Sequence, residues 1–221
     1  MSNKRLSQET LQAFAKLDTS TISDALDKQG FCGGLHGIHA VVPGSKMCGQ
    51  AFTVKYLPCG IQKGTVGDFL DHVPEGEIVV IDNAGRTTMT VFGDIMSIYA
   101  KQKKIGGTLI DGVCRDVKLV REIGYPIFSK GYFMVTGKDR VEIESMNQPV
   151  QISGLQVCPG DLIVADENGA VCIPLSMVER TLEVAHHIEE TEGRIMAAIK
   201  DGMTLKEARA KMGYHHLQTK E

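Results

Sequence analysis

Two stretches of the chain share one pattern, in which a glycine and an acidic residue precede four apolar residues and a closing aspartate. These stretches are residues 76–82 (GEIVVID) and residues 160–166 (GDLIVAD). Continuous apolar runs between turn residues predict strands that are buried on both faces. A repeat this short cannot carry a core of its own, so the pair predicts layered sheets within one domain rather than tandem domains.

Other segments alternate between apolar and polar residues or form short apolar runs, which predicts further strands. The segment QAFTVKY at residues 50–56 alternates as a half-buried strand does. The Asn168-Gly169 turn predicts a hairpin between the strand at 162–165 and a second arm at 170–174. The remaining strand candidates are residues 108–110, 126–128, 132–135 and 150–152.

Apolar residues at helical spacing predict the helices. The predicted helices are residues 7–17, 22–29, 94–103, 116–123, 176–200 and 204–211. Residues 18–21 (DTST) offer N-caps for the second helix, Gly106-Gly107 ends the third, and Ser176 caps the fifth. Thr204 and Glu207 form a capping box at the last.

No linker-like segment divides the chain, which predicts one α/β domain over residues 1–221. Its core spans about residues 18–175, and C-terminal helices occupy about residues 176–213. At 221 residues, the chain is long enough to bury a sizeable core.

Composition narrows the class of protein. The chain has 27 acidic and 24 basic residues, a net charge of −3, which argues against a nucleic-acid binder that works by neutralising phosphates. It has neither an apolar signal core at the N-terminus nor a run of about 20 apolar residues, so no membrane association is expected. The six cysteines are scattered without a CxxC pair, which is typical of buried thiols in a reducing compartment. These features predict a cytoplasmic protein.

The stretch from Val91 to Asp116 holds the strongest candidate chemistry. If Gly93 and Asp94 open a helix, the amides of Ile95 and Met96 point to the space before it, where a carboxylate can bind. The helix is followed by a strand and then by Arg115-Asp116.

Arg115 offers a planar fork for a carboxylate and a neighbouring carbonyl oxygen. Asp116 offers an oxygen ligand for a hard cation, and Asp94 can hold the waters of that cation. Together they predict a Mg²⁺ or Mn²⁺ site for a small 2-oxo acid. The simpler alternative is that Asp94 is an ordinary acid of a first helical turn and that Arg115-Asp116 is a surface ion pair.

The spacing of these residues resembles that of a known protein family. Asp94, twenty intervening residues and Arg115-Asp116 form a D-x20-R-D motif within the context DGVCRD at residues 111–116. With TISDAL at 21–26 and PGD at 159–161, the motif resembles the family that joins 4-hydroxy-4-methyl-2-oxoglutarate aldolases to the regulator of ribonuclease activity A (RraA) proteins.

The resemblance implies a three-layer β/β/α swivelling-domain fold, with helical N- and C-terminal segments, in a homotrimer or homohexamer. It implies a carbon–carbon lyase: a class II, metal-dependent pyruvate aldolase that also decarboxylates oxaloacetate. By matching positions, Asp116 is similar to the metal ligand, Arg115 to the pyruvate-binding arginine and Asp94 to the residue that organises metal-bound water. The Ile95 and Met96 amides, which follow Gly93, resemble the pair that holds the pyruvate carboxylate.

The resemblance extends less firmly to two further residues. The aldolases use a glutamate from the C-terminal helix of a neighbouring subunit. Among Glu189, Glu190 and Glu192, Glu192 is the candidate for this role. A solvated helix face explains the acidic run equally well. Lys138 is a candidate for a distal substrate carboxylate, and a plain surface lysine is the alternative. The second function to be weighed is a non-catalytic regulator that binds a ribonuclease or a helicase, since fold does not determine function.

Overall fold

The computed structural model describes residues 5–61 and 66–214, and the remainder of the predicted 1–221 domain lies outside these ranges. The strands are β1 (His39–Ala40), β2 (Met47–Pro58), β3 (Ile78–Thr90), β4 (Gly107–Cys114), β5 (Ile127–Tyr132), β6 (Val141–Met146), β7 (Val150–Ile152), β8 (Leu155–Val157), β9 (Leu162–Asp166) and β10 (Gly169–Ile173). The α-helices are α1 (Gln8–Lys16), α2 (Thr19–Lys28), α3 (Asp94–Gln102), α4 (Val117–Ile123), α5 (Val178–Lys200) and α6 (Leu205–Lys211). None of the helices in the described ranges combines the length and the apolar character that crossing a membrane requires.

One long strand holds the sheet together. The strand order is β1-β5-β4-β3-β2-β9-β10, and β6 pairs with β2. The first part of β2 pairs antiparallel with β9, whereas residues 51–55 pair parallel with β3. Because β3, β4 and β5 continue in parallel, β2 joins a mainly parallel sheet to a smaller antiparallel one.

Alternate side chains of the strands enter separate cores. Val79 and Ile81 of β3 pack with α3 and α4, while Ile78 and Val80 face β9 and β10. The outer face of the β9–β10 hairpin packs against α1, α2 and α5. Two β layers and one helical layer, with terminal helices outside the second β layer, confirm the expected β/β/α fold with helical ends.

The repeated apolar runs are buried on both faces, as predicted. Residues 78–81 and 162–165 are all buried, and they belong to β3 and β9. The hairpin at Asn168-Gly169 is also confirmed, with Gly169 opposite Asp166. The capping box at α6 is present as expected, with the Thr204 side chain accepting the Glu207 N–H.

Several predicted boundaries were wrong. The strand predicted at residues 132–135 is the last residue of β5 followed by irregular chain, and β6, β8 and β1 had not been predicted. Helix α3 ends at Gln102, before Lys104 adopts a left-handed φ of 56°, and Gly107 opens β4 instead of ending the helix. Ser176 does not cap α5, because it lies inside the short 3-10 turn Leu175–Met177 that precedes the helix.

Helix α2 begins at Thr19, three residues earlier than predicted, because a distant carboxylate caps it. Asp18 occupies the N-cap position, but its side chain makes no capping hydrogen bond. Asp166 of β9 accepts the Thr19 N–H at 2.8 Å and the Thr19 hydroxyl at 2.7 Å. The Asp166 side chain therefore joins the N-terminal helices to the second β layer.

The pKa of the Asp166 carboxyl is lowered. Burial acts to raise it, but the hydrogen bonds from Thr19 and from the Asn168 N–H, together with the charge of Lys46, outweigh that effect. A lowered pKa in the folded state means that the charged carboxylate stabilises the fold above the unfolded pKa, about 3.9 for aspartate. This stabilisation is lost as the pH falls through the folded pKa.

Asp166→Ala is expected to lower the free energy of unfolding by about 1–3 kcal/mol at pH 7, because the substitution removes the carboxylate that caps α2. The difference from the unmodified chain should shrink toward pH 3. Urea unfolding at both pH values measures it. Asp18→Ala is the matched control and should cost less than about 1 kcal/mol, since Asp18 forms only an exposed ion pair with Lys46. An equal loss in the two variants would contradict the assignment of the cap to Asp166.

Candidate active site

The candidate site lies where the parallel strands β3 and β4 end. After β3 the chain passes through Phe92 and Gly93 into α3, and after β4 it passes through Arg115 and Asp116 into α4. The Arg115 N–H donates to the Phe92 carbonyl at 3.0 Å, which joins the two connections. Because neighbouring parallel strands end at the same edge of a sheet, residues far apart in sequence meet there. The D-x20-R-D spacing therefore corresponds to a spatial cluster.

Gly93 is required by close packing. Its φ of −153° is extended backbone that any residue adopts. A Cβ atom at this position, however, would lie 2.6 Å from Asp116 Oδ2 and 3.3 Å from the Arg115 side chain. Glycine therefore allows the carboxylate to approach the start of α3.

Asp116 adopts a left-handed backbone conformation, with φ 59° and ψ 35°. Aspartate tolerates this region better than most residues, because its short polar side chain bonds locally. Its Oδ2 accepts the Asp94 N–H at 3.4 Å and lies 3.1 Å from Arg115 Nε. Both side chains of this ion pair are partly exposed, so they remain accessible to a ligand.

The start of α3 carries a second carboxylate contact. Asp94 Oδ1 accepts the N–H of Ile95, the next residue, at 2.7 Å. The Ser97 hydroxyl donates to the Gly93 carbonyl at 2.8 Å and fixes the first turn. The first N–H groups of the helix thus face the carboxylates of Asp94 and Asp116, in a region of partial positive charge.

A cleft of about 390 Å³ opens beside this cluster, and its walls are mainly apolar. It is lined by Val66, Gly67, Thr90, Val91, Phe92, Gly93, Asp94, Ile95, Met96, Arg115, Thr136 and Lys138. A small organic acid fits such a space, with its charged end at Arg115 and its carbon chain between apolar side chains.

Lys138 reaches the cleft on a segment that is fastened to the end of β3. The Thr90 N–H and hydroxyl both donate to the Val135 carbonyl, at 3.0 and 3.2 Å. A Cβ on Gly137 would lie 2.3 Å from the Thr90 carbonyl oxygen, so glycine allows the two segments to pack closely. Lys138 N then donates to Thr136 Oγ1 at 3.2 Å.

The structure brings most of the predicted site residues together, and Glu192 is the exception. The cleft lining contains Gly93, Asp94, Ile95, Met96, Arg115 and Lys138, and Asp116 contacts the first two of these residues and Arg115. Glu192 lies on α5, in the outer helical layer, near Asp24 of α2. Burial and the negative charge of Asp24 raise the pKa of the Glu192 carboxyl. Asp24 itself lies in the second turn of α2.

Sequence reasoning missed several residues of the cleft. Thr90 and Phe92 immediately precede Gly93, so their nearness to the motif was an available signal. Thr136 carries no such signal, because only the pairing of Thr90 with Thr136 at the end of β3 brings it to the site.

The residues of the cluster fit a Mg²⁺ or Mn²⁺ ion. Their donors are carboxylate oxygens, and the side chain of Asp116 is partly exposed. Residues 5–61 and 66–214 contain no group of three or more His, Cys, Asp or Glu side chains placed to hold a metal. This donor set suits a cation that is held by one or two carboxylates, with waters and substrate as the other ligands. It does not suit zinc, which takes three or four protein ligands.

Gly93→Ala is expected to weaken Mn²⁺ binding by about tenfold or more, because the new methyl group pushes the Asp116 carboxylate away from α3. Titration calorimetry with Mn²⁺ measures this. Gly67→Ala is the matched control in the same cleft, since its methyl group would make only ordinary contacts with Met96. Unaltered Mn²⁺ affinity in the Gly93 variant would contradict the role of this close approach.

Comparison with known proteins places the chain in a family. The RraA-like family Aldolase/RraA matches residues 19–172. Protein DlpA of Legionella pneumophila is 39% identical over 203 residues, which cover 90% of this chain and 33% of that protein, so this chain spans one third of that relative's length. A Halalkalibacterium halodurans protein named "Putative 4-hydroxy-4-methyl-2-oxoglutarate aldolase" is 30% identical, with coverage of 86% of this chain and 88% of that protein.

Solved structures show the same likeness. An uncharacterized protein from Pseudomonas syringae pv. tomato has a TM-score of 0.87 and 41% identity, over 93% of this chain and 99% of that one. Streptomyces coelicolor RraAS2, described as an unusual member of the RNase ES inhibitor RraA protein family, has a TM-score of 0.79 and 28% identity, over 86% and 96%. The match over residues 19–172, together with these relatives, shows that the chain belongs to the RraA-like family.

Proposed function

We propose that the chain is a divalent-metal-dependent carbon–carbon lyase. It acts as a class II pyruvate aldolase on 4-hydroxy-2-oxo dicarboxylates such as 4-hydroxy-4-methyl-2-oxoglutarate, and it decarboxylates oxaloacetate. The observation that carries this proposal is the convergence of Asp94, Arg115, Asp116 and the start of α3 at one end of the cleft. The names of the curated aldolase relatives support the same reaction class.

The cluster is suited to the 2-oxo acid end of such a substrate. The first turn of α3 supplies N–H donors and partial positive charge for the carboxylate. Arg115 lies 3.1 Å from Asp116, and its guanidinium offers further donors to the carboxylate and to the adjacent carbonyl oxygen. The substrate is thus oriented by charge at one end and by the apolar walls of the cleft along its chain.

Asp116 is the residue that would hold the Mg²⁺ or Mn²⁺ ion, and Asp94 lies beside it. A bound divalent ion would polarise the substrate carbonyl and stabilise the enolate charge that develops on it. Arg115 supports the same charge with its guanidinium.

The two reactions break the same C3–C4 bond and form the same enolate. In aldol cleavage the C4 hydroxyl loses its proton, the C3–C4 bond breaks and its electron pair forms the enolate of pyruvate. In oxaloacetate decarboxylation the same bond breaks with release of CO₂, so no proton has to be removed first. In both cases C3 of the enolate then takes up a proton. Asp94, at the edge of the cleft, is the chain's candidate for accepting and returning that proton, directly or through water.

We further propose that a second copy of the chain completes the site. Large apolar side chains are exposed around it, with Ile95 and Met134 each 76% and Tyr132 63% exposed. Exposed apolar clusters of this kind often mark protein contacts. Glu192 lies in the outer helical layer of its own chain, so it can serve the cleft only from a neighbouring subunit of a trimer or hexamer.

The second candidate function is regulation of a ribonuclease. Its support is the likeness to Streptomyces coelicolor RraAS2, described as a member of an RNase inhibitor family. The acidic and cationic groups at the cleft favour the lyase, because a binding surface does not need them. Affinity capture with purified ribonuclease components, in parallel with enzyme assays, separates the two functions.

Pyruvate release from oxaloacetate and from 4-hydroxy-4-methyl-2-oxoglutarate should require Mg²⁺ and stop on addition of EDTA. Asp116→Ala and Arg115→Ala should each lower the rate by about 100-fold or more, because each removes a group that stabilises the enolate. Lys104→Ala is the control, since Lys104 forms only an exposed ion pair with Glu75. Release that persists with EDTA or in the Asp116 variant would overturn the metal-dependent reaction.

Lys138→Met should lower kcat/KM for the dicarboxylate 4-hydroxy-4-methyl-2-oxoglutarate by about tenfold, because the far carboxylate loses its cation. Inhibition by pyruvate, which has no second carboxylate, should stay the same. Lys104→Met is the matched control, because Lys104 forms an exposed ion pair with Glu75 and does not line the cleft. Equal losses for pyruvate and for the dicarboxylate would show that Lys138 does not read the far end of the substrate.

A further inference from the structure

The N-terminus of α3 is capped differently from those of α1 and α6. The Ser7 side chain caps α1 by accepting the Thr10 N–H, and the Thr204 side chain caps α6 by accepting the Glu207 N–H. These are ordinary arrangements, in which the residue before the helix accepts an amide two or three residues into it. At α3 the residue before the helix is Gly93, which has no side chain.

The carboxylates of the candidate site take over the capping of α3. Asp116 Oδ2 accepts the Asp94 N–H at 3.4 Å, and Asp94 folds back so that its Oδ1 accepts the Ile95 N–H at 2.7 Å. A side chain at Gly93 that provided an ordinary cap would collide with Asp116. Because position 93 must be glycine, the first amides of the helix are capped by Asp94 and Asp116, which also belong to the candidate site.

We propose that Asp94 is a displaceable cap, which the carboxylate of the substrate replaces on the Ile95 amide. The exchange rests on the proposed function, in which a 2-oxo acid binds at the start of α3. The Asp94 carboxylate and the substrate carboxylate carry the same charge and seek the same N–H donor. Two carboxylates cannot share one donor without strong repulsion, since neighbouring like charges destabilise each other. Arg115 Nε is already directed to Asp116, so it does not relieve that repulsion fully.

The exchange couples the release of the Asp94 carboxylate to substrate binding. While Asp94 caps Ile95, one of its oxygens is occupied by a short hydrogen bond inside the chain. When the substrate takes that amide, the Asp94 carboxylate loses its partner and is free to turn toward the bound substrate. Substrate binding and release of the Asp94 carboxylate are then one event, and the amide at Ile95 keeps a partner throughout.

Asp94→Ala and Asp94→Asn test this exchange as a pair. Both variants remove the negative charge, but only asparagine keeps an oxygen that can accept the Ile95 N–H. Pyruvate, titrated calorimetrically in the presence of saturating Mg²⁺, should bind about three- to tenfold more tightly to the alanine variant than to the asparagine variant, the worth of one hydrogen bond. The unmodified chain should bind pyruvate most weakly of the three. Asp94→Gly is a second acceptor-free variant if the alanine variant does not fold.

The amide signal of Ile95 gives a second readout that does not depend on activity. In ¹H–¹⁵N spectra, the Ile95 proton should lie downfield in the unmodified chain and in Asp94→Asn, and upfield in Asp94→Ala, because only the alanine variant lacks the acceptor. Pyruvate should move the alanine variant's signal downfield.

Two results separate failure of the exchange from failure of the proposed function. Equal pyruvate affinity in the alanine and asparagine variants would overturn the displaceable cap, while Mg²⁺-dependent pyruvate release by the unmodified chain would leave the lyase intact. If the unmodified chain neither binds pyruvate with Mg²⁺ nor releases it from oxaloacetate, the proposed function fails and the exchange fails with it.

Discussion

The approach of the Asp116 carboxylate to Gly93 is the contact on which the candidate site depends. Asp116 reaches the start of α3 because its backbone is left-handed and because the residue opposite it has no side chain. The hydrogen bond from Arg115 N to the Phe92 carbonyl holds the two connections at this separation. One close contact therefore positions a carboxylate, a guanidinium and a helix N-terminus together.

The layers beneath make that contact rigid. Residues 78–81 of β3 and 107–114 of β4 are buried throughout, with one face of β3 against α3 and α4 and the other against the second sheet. A shift of either strand would disturb two cores at once, and close-packed interiors resist such shifts. The site at the strand ends consequently rests on strands that are buried on both faces, where precise placement is easier to maintain.

Sequence predicted local features well and distant ones poorly. The buried runs at 78–81 and 162–165 and the start of α3 follow from patterns within a dozen residues, and the D-x20-R-D spacing pointed to the cluster through family resemblance. The predicted start of α2 was wrong because the carboxylate that caps this helix belongs to Asp166, which lies 147 residues away in the sequence. The Lys138 segment likewise depends on a contact with Thr90 that only the folded sheet creates. No pattern within one chain can say whether Glu192 serves a neighbouring subunit.

The packing of α5 decides how Glu192 can act. Val184, Ala185 and Ile188 of this helix are buried against the β9–β10 hairpin, on the side of that layer away from α3. Swinging the helix toward its own cleft would expose Val184 and Ile188, each worth about 1.5–3 kcal/mol in lost burial, as well as their partners on α2. A contact between two copies leaves this core intact. If Glu192 takes part in the chemistry, it must therefore do so across a subunit boundary, and the activity of the cleft is then tied to assembly of the chain with itself.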